Sequence, residues 1–392
     1  MRSFSKGGLG AVSATTMATT TFPIIVVSVL AAPLIDEFDI SRAQLGLLVT
    51  AFGLVGAAMS PVCGRLTDRL GGVRSTRLTL LAGAITLTAL ALSPTYTLLI
   101  GAALLSGFPN GWGNPATNAL VADNVAVGSR GVVTGVKQSG VQIGTFLGGL
   151  LLPAFTAWWN WRVAVLMFVA MPLGGLIGMI GRKDTERHET TMSLLAEGKI
   201  PTSINWIAAY GLISGLATSA LIAFLPLFAE EDQLWSETLA GTILAAVGLT
   251  GIFSRVFWSR WSERSLGHGR TLRILAWMTM FTSILLTLAS LGALPSWVLI
   301  PAAFLFGAGA IAWNAVGMVA VMEIAPPHLL GKGTGVVLLG FLFGHSIGPP
   351  LMGWSVDALG TYTPGWLATG VLLALSAILA LRIPEGGRVA VQ

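Results

Sequence analysis

Apolar runs separated by short polar breaks order this chain from end to end. They fall at about 11 to 35, 43 to 64, 74 to 93, 96 to 122, 131 to 157, 161 to 181, 204 to 229, 237 to 258, 270 to 292, 295 to 322, 331 to 354 and 363 to 383. Each is near the roughly 20 residues that a helix needs to cross hydrocarbon, and too long for a barrel strand. Without water in the bilayer the backbone must bond within its own segment, so the runs are helices. The pattern predicts an all-α membrane protein of twelve transmembrane helices in two six-helix bundles, residues 1–181 and 204–392. The longest polar interval, 182–203, is the linker between them, and so few residues cannot bury a core of their own.

The two halves carry one pattern. Ala51-Phe52-Gly53-Leu54-Val55-Gly56 returns as Ala246-Val247-Gly248-Leu249-Thr250-Gly251, and Asp68-Arg69 as Glu263-Arg264, at a shift of 195. Asn114, Asp123, Gly140, Gly144 and Gly148 are answered at a shift of 200 by Asn314, Glu323, Gly340, Gly344 and Gly348. Repeats of this kind in lipid are a signature of secondary transporters with a site at the repeat interface. The glycines four apart on the fifth and eleventh spans give each a face of small residues that lets a second helix approach closely. Leu152-Pro153 and Gly348-Pro349-Pro350 are expected to bend the far ends of those spans.

Composition agrees: 54% of residues are hydrophobic and 10% charged, against about 25% charged in a soluble domain. The net charge of +5 does not point to nucleic acid, because the basic residues follow loop parity. Of the 22 Lys and Arg, all but Arg42, Arg162 and Lys137 lie at the termini or in even-numbered loops and their helix ends. By the positive-inside rule both termini are cytoplasmic, with Asp36, Glu37, Asp39, Glu230, Glu231 and Asp232 on the opposite side. Cys63 is the single cysteine, which excludes an intramolecular disulfide. Arg2 and Lys6 before an apolar run resemble a signal peptide, but the run is long and more spans follow, so it stays as the first helix.

Gly64-Arg65-Leu66-Thr67-Asp68-Arg69-Leu70-Gly71 follows the second span, and a degenerate copy ending Glu263-Arg264 follows the eighth. On these residues, with the twelve runs and the central linker, the chain resembles the major facilitator superfamily, whose loop between helices two and three carries Gly-x-Leu-x-Asp-Arg-x-Gly. The resemblance implies that family's fold and a gating role for Gly64, Asp68, Arg69 and Gly71, and for Glu263 and Arg264 in the repeat. It places Asp68 against the start of the eleventh helix at Lys332, and Glu263 against the start of the fifth at Arg130. An acid at a helix N-terminus is stabilised by the unpaired amides there, so each pair would latch the cytosolic side. The family's fourth-helix motif opens with Arg, which Leu105 replaces here, and the Gly-Pro pair of its antiporter motif is missing from the fifth. Arg130 to Gly140, with Trp161-Arg162, looks more like the family's organic-anion and cyanate-type permeases.

A charge within a membrane costs at least ~2.5 kcal/mol, so polar residues inside the spans carry the functional information. Lys137, about two turns into the fifth span, reads either as a side chain snorkelling to the interface or as a cation that attracts an anionic substrate. Gln138 and Gln142 continue its polar face, whereas its repeat position is Val337. Asn110, Asn114 and Asn118 recur every fourth residue beside Trp112, and Asn314 beside Trp313 answers them. These amides suit a substrate or a neighbouring helix equally well. His345 is a proton-coupling candidate or a neutral core residue; Arg255 is a second anion contact or an interface anchor.

No span carries an acid near its middle, which disfavours a cation exporter. No Gly-x-x-x-x-Gly-Lys-Ser/Thr loop is present, and the four histidines lack metal-ligand spacing, so neither a cofactor nor a metal is expected. The chain therefore reads as a bacterial inner-membrane secondary transporter, not an enzyme. It moves a small organic anion by alternating access, with protons as candidate coupling ion in symport. Its partners are the substrate and the lipid bilayer, and a monomer is expected to suffice because one chain holds both halves. The alternatives are a neutral or amphipathic solute and, in another class, a non-transporting receptor or intramembrane enzyme.

Overall fold

The computed structural model describes residues 5–125, 130–184, 199–326 and 329–385, and among them the regular elements are helices throughout. The linker sequence largely falls outside the described residues. Contacts divide the chain into two compact units, Met1–Glu189 with Ser236–Ala245, and Thr190–Trp235 with Ala246–Gln392. In the first unit the helices are α1 (Lys6–Val29), α2 (Ala31–Phe38), α3 (Arg42–Leu70), α4 (Gly72–Leu92), α5 (Tyr96–Asn124), α6 (Arg130–Trp158), α7 (Trp161–Met167) and α8 (Ala170–Gly178). The rest are α9 (Thr202–Glu231), α10 (Glu237–Trp261), α11 (His268–Ser290), α12 (Leu299–Gly309), α13 (Trp313–Ile324), α14 (Leu330–Leu359) and α15 (Thr363–Leu379). The first, sixth and tenth spans are each two helices in series; the others are single.

Eleven helical stretches among the described residues are long and apolar enough to cross a membrane. The fourth span is the one outside that set. It is the 29-residue helix α5, and Asn110, Asn114 and Asn118 dilute its apolar character. Pro153 and Pro349-Pro350 lie inside single helices, α6 and α14, and the interruptions fall elsewhere, above all at residues 310–312 between α12 and α13.

The glycine faces set the packing. A Cβ on Gly140 would lie 2.6 Å from the carbonyl carbon of Ala14 in α1, and one on Gly148 2.6 Å from Ile25. In the second unit, Cβ atoms on Gly340 and Gly344 would meet the backbone of Ala208 and Leu212 in α9. Thus α6 on α1 and α14 on α9 are the same close packing made twice, at separations that exclude even alanine.

Both units also close their ends alike. Where α2 ends, the Glu37 carboxylate accepts from Trp161 Nε1 and from Arg162, both at the start of α7. Arg162 goes on to donate to the carbonyls of Ala91 and Ser93, both at 2.7 Å, which satisfies the C-terminal end of α4. This use explains the exception to loop parity. In the second unit Glu231 accepts from Tyr362 at 2.5 Å and Gln233 donates to Ala289 at the end of α11. At the opposite end Gly71, with φ of 84°, turns the chain into α4, whose first amides at Val73 and Arg74 donate to Asp184 at 2.6 and 3.2 Å. The second unit uses Gly267, with φ of 78°, and there His268 and Gly269 donate to the carbonyls of Glu385 and Pro384.

The Glu37 clamp should be measurable. Arg162→Ala is expected to cost about 1 to 2 kcal/mol, less than a fully buried charged hydrogen bond because Glu37 is partly exposed, and Tyr362→Phe less again. Thermal unfolding in detergent checks the order; an Arg162→Ala protein as stable as its parent would show that the clamp is slack.

Candidate functional site

The polar residues of the fourth and fifth spans meet around one charge. Lys137 is wholly covered, with 0% of its surface exposed, and its ammonium turns to α5 rather than toward either end of the bundle. Its Nζ donates to Asn118 Oδ1 at 2.5 Å and to Asn114 Oδ1 at 3.2 Å. Gln138 Nε2 donates to the same Asn114 oxygen at 3.2 Å. The spacing makes this possible: Asn114 and Asn118 are one turn apart on α5 and share a face. A snorkelling lysine keeps its head in water, and this one does not.

The two asparagines are themselves exposed, so they form a cover over the ammonium. Asn118 also borders a cavity of about 280 Å³, lined by Gly64, Thr67, Asp68, Pro115, Asn118, Ala119 and Ala122. The signature residues Gly64 and Asp68 and the Lys137 cluster are thus joined through Asn118, within one unit. Gln142, one turn beyond Gln138, is buried, and its Oε1 has no hydrogen-bond partner among the described residues.

Other sequence candidates are taken up by packing. Asn110 donates to the Thr20 carbonyl of α1 at 3.1 Å. Trp112 is buried against Cys63 and Ala116, and its Nε1 donates to Thr67 Oγ1 at 2.9 Å. In the second unit Trp313 lies in the core between Tyr210 and Phe341, with ring centroids 5.9 and 4.9 Å away. Its neighbour Asn314 is half-buried. Arg255 Nε donates to the carbonyl of Ile311 at 3.3 Å, while Ser254 and Trp258 on the same helix donate to Gly307 and Ala308. These three donors serve the stretch in which the tenth span is interrupted, so Arg255 pins the break. His345 packs tilted against Phe341 with ring centroids 5.2 Å apart, and its Nδ1 is buried without a hydrogen-bond partner among the described residues.

Of the gating candidates, Asp68, Arg69, Glu263, Arg264 and Lys332 are exposed, and Glu263 and Arg264 sit in a short π-helix, Ser262–Leu266. The Arg130 side chain is outside the described residues. No group of His, Cys, Asp and Glu able to hold a metal ion occurs among the described residues. Sequence reasoning missed the weight of Asn118 against Asn110; only their spacing was visible, and the partners lie on other helices.

Comparison with known proteins adds the lineage. The family model described as Major Facilitator Superfamily matches residues 9–278 and 207–391. An uncharacterized MFS-type transporter of Mycobacterium tuberculosis strain H37Rv is 27% identical over 290 residues, 72% of this chain, and the match spans 64% of that protein's length. The probable nitrate/nitrite transporter NarK2 of M. tuberculosis is 26% identical, covering 88% of this chain and 87% of its own. The hexuronate transporter of Bacillus subtilis is 24% identical, covering 90% and 89%. Among solved structures, that of a D-xylose-proton symporter superposes with a TM-score of 0.80 at 16% identity, over 97% of this chain and 98% of that one. With its helical units, its membrane-length spans and a family match across nearly all of its length, the chain is a multi-pass membrane protein that belongs to the Major Facilitator Superfamily.

Proposed function

We propose that this protein is a secondary transporter that moves a small organic anion by alternating access, with Lys137 supplying the attraction. The observation that carries the reading is a fully covered ammonium whose partners among the described residues are neutral amide oxygens. Burying an ion costs several kcal/mol that dipolar partners repay only in part. Such a charge is poor value for stability and good value for binding, since an anion supplies the missing countercharge. Relatives named for nitrate/nitrite and for hexuronate handle anions, which supports the same class here.

Lys137→Met and Lys137→Gln are therefore expected to leave the unliganded protein at least as stable as the parent while abolishing saturable anion binding in proteoliposomes. Full affinity in Lys137→Met would reject the reading, and saturable binding of a neutral solute in that variant would favour an uncharged substrate. His345 is assigned the coupled proton. On that assignment His345→Gln stops accumulation driven by a pH gradient and spares counterflow; accumulation equal to the parent's would remove histidine from coupling. Asp68 is assigned to the cytosolic latch, with both termini on that side. Asp68→Asn, more than Glu263→Gln, should then slow transport and widen spin-label distances across the cytosolic mouth without loss of binding. An unchanged distance distribution would dismiss the latch.

A further inference from the structure

The covered ammonium raises a question about what the anion touches. Lys137 cannot be reached past Asn114 and Asn118 as they stand, because none of its surface is exposed while both asparagines are. An ammonium has three donors and no acceptor. The group each asparagine turns toward it is therefore the amide oxygen, and the amide nitrogen of each points away from Nζ. Asn114 is fixed twice over, because Gln138 Nε2 donates to the same oxygen. The hydrogen bonds of Asn114 and Asn118 among the described residues are all made by Oδ1, so their Nδ2 groups leave up to four N–H donors on one helix face, one turn apart.

We infer that the anion is held by the side-chain N–H groups of Asn114 and Asn118, which Lys137 orients and polarises from beneath, rather than by an ion pair with Lys137 itself. This rests on the anion reading above and says how that site selects. Hydrogen bonds in series strengthen one another, so an amide whose oxygen is bonded to a cation donates more strongly through its nitrogen. The face it makes offers donors only. It accepts a group with lone pairs and no proton, such as a carboxylate or a nitrate-like oxyanion, and offers nothing to an ammonium. Asp68 lies on the wall of the cavity that Asn118 borders, and its carboxylate repels an anion there. Asn114 is not on that wall, so the anion spans the two amides on the side away from Asp68. Asn118 is on this view a residue that sets specificity, and Lys137 a positioning residue.

The test is to titrate purified protein with nitrate, acetate and glucuronate, following thermal stabilisation and calorimetric affinity in the parent and four variants. Asn118→Ala and the isosteric Asn118→Asp, neither of which has an outward N–H, should each weaken binding by about tenfold or more, the equivalent of one lost hydrogen bond to a charged group. Asn118→Ser, whose hydroxyl can accept from Nζ and still donate outward, should restore most of the affinity, which a merely structural role would not require. Lys137→Met should lose it altogether. If Asn118→Ala binds as tightly as the parent or more tightly while Lys137→Met does not bind, the anion meets the uncovered lysine directly; the inference then fails and the anion reading survives. If Lys137→Met binds like the parent, or if none of the three anions binds the parent, both fall.

Discussion

Inside hydrocarbon a polar group has no water to return to, and that constraint governs nearly every side chain singled out here. A charge or amide that finds its partner on another helix fixes where that helix lies. Glu37 draws the start of α7 to the end of α2, and Arg162, held there, closes the end of α4. Asn110 ties α5 to α1 through the carbonyl of Thr20. Arg255 answers a carbonyl at the break in the tenth span. Each contact is worth little by itself, since hydrogen bonds in membrane proteins average only about 0.6 kcal/mol. Their weight lies in the alternative, an unpaired group in lipid.

Close packing makes those polar contacts selective. Where Gly140 meets Ala14 and Gly344 meets Leu212, no side chain intervenes between the helices, so α6 on α1 and α14 on α9 have little freedom to slide. The angular position of α6 is thereby set, and with it the direction in which Lys137 leaves the helix. A glycine face thus does two jobs: it supplies dispersion contact in a solvent that gives no hydrophobic drive, and it aims the buried ammonium of Lys137 at α5. Substituting Gly140 would be expected to disturb the Lys137 cluster although the two never touch.

The architecture was legible because bilayer thickness sets the length of every run and because the repeat carries matched residues at constant shifts. The family followed from Gly64 to Gly71 read together with those runs. Roles within the spans were harder to read. Asn110 and Asn114 have the same residue type, spacing and helix, yet one holds a neighbouring backbone and the other a lysine; the difference lies in Thr20 and Lys137, far away in sequence. Trp112 looked available for substrate and is bonded to Thr67. The matched clamps escaped notice for another reason. Trp161 and Tyr362 do the same work with different side chains, so a search for repeated letters passes over them.

Where the two halves agree and where they differ carries its own argument. Positions that match across the repeat, such as the glycine faces and the Glu37 and Glu231 clamps, are those that both bundles need in order to pack and close. Lys137 has no such twin: Val337 stands in its place, fully buried in an apolar cluster with Trp313 and Tyr210. Packing therefore does not call for a lysine there, because the same fold is built without one. Asn314 therefore has no ammonium beneath it, and the second half packs buried aromatic rings where the first holds a charge. The duplicated glycine faces and clamps make the scaffold, and Lys137, which the second half lacks, is a departure that the scaffold does not require.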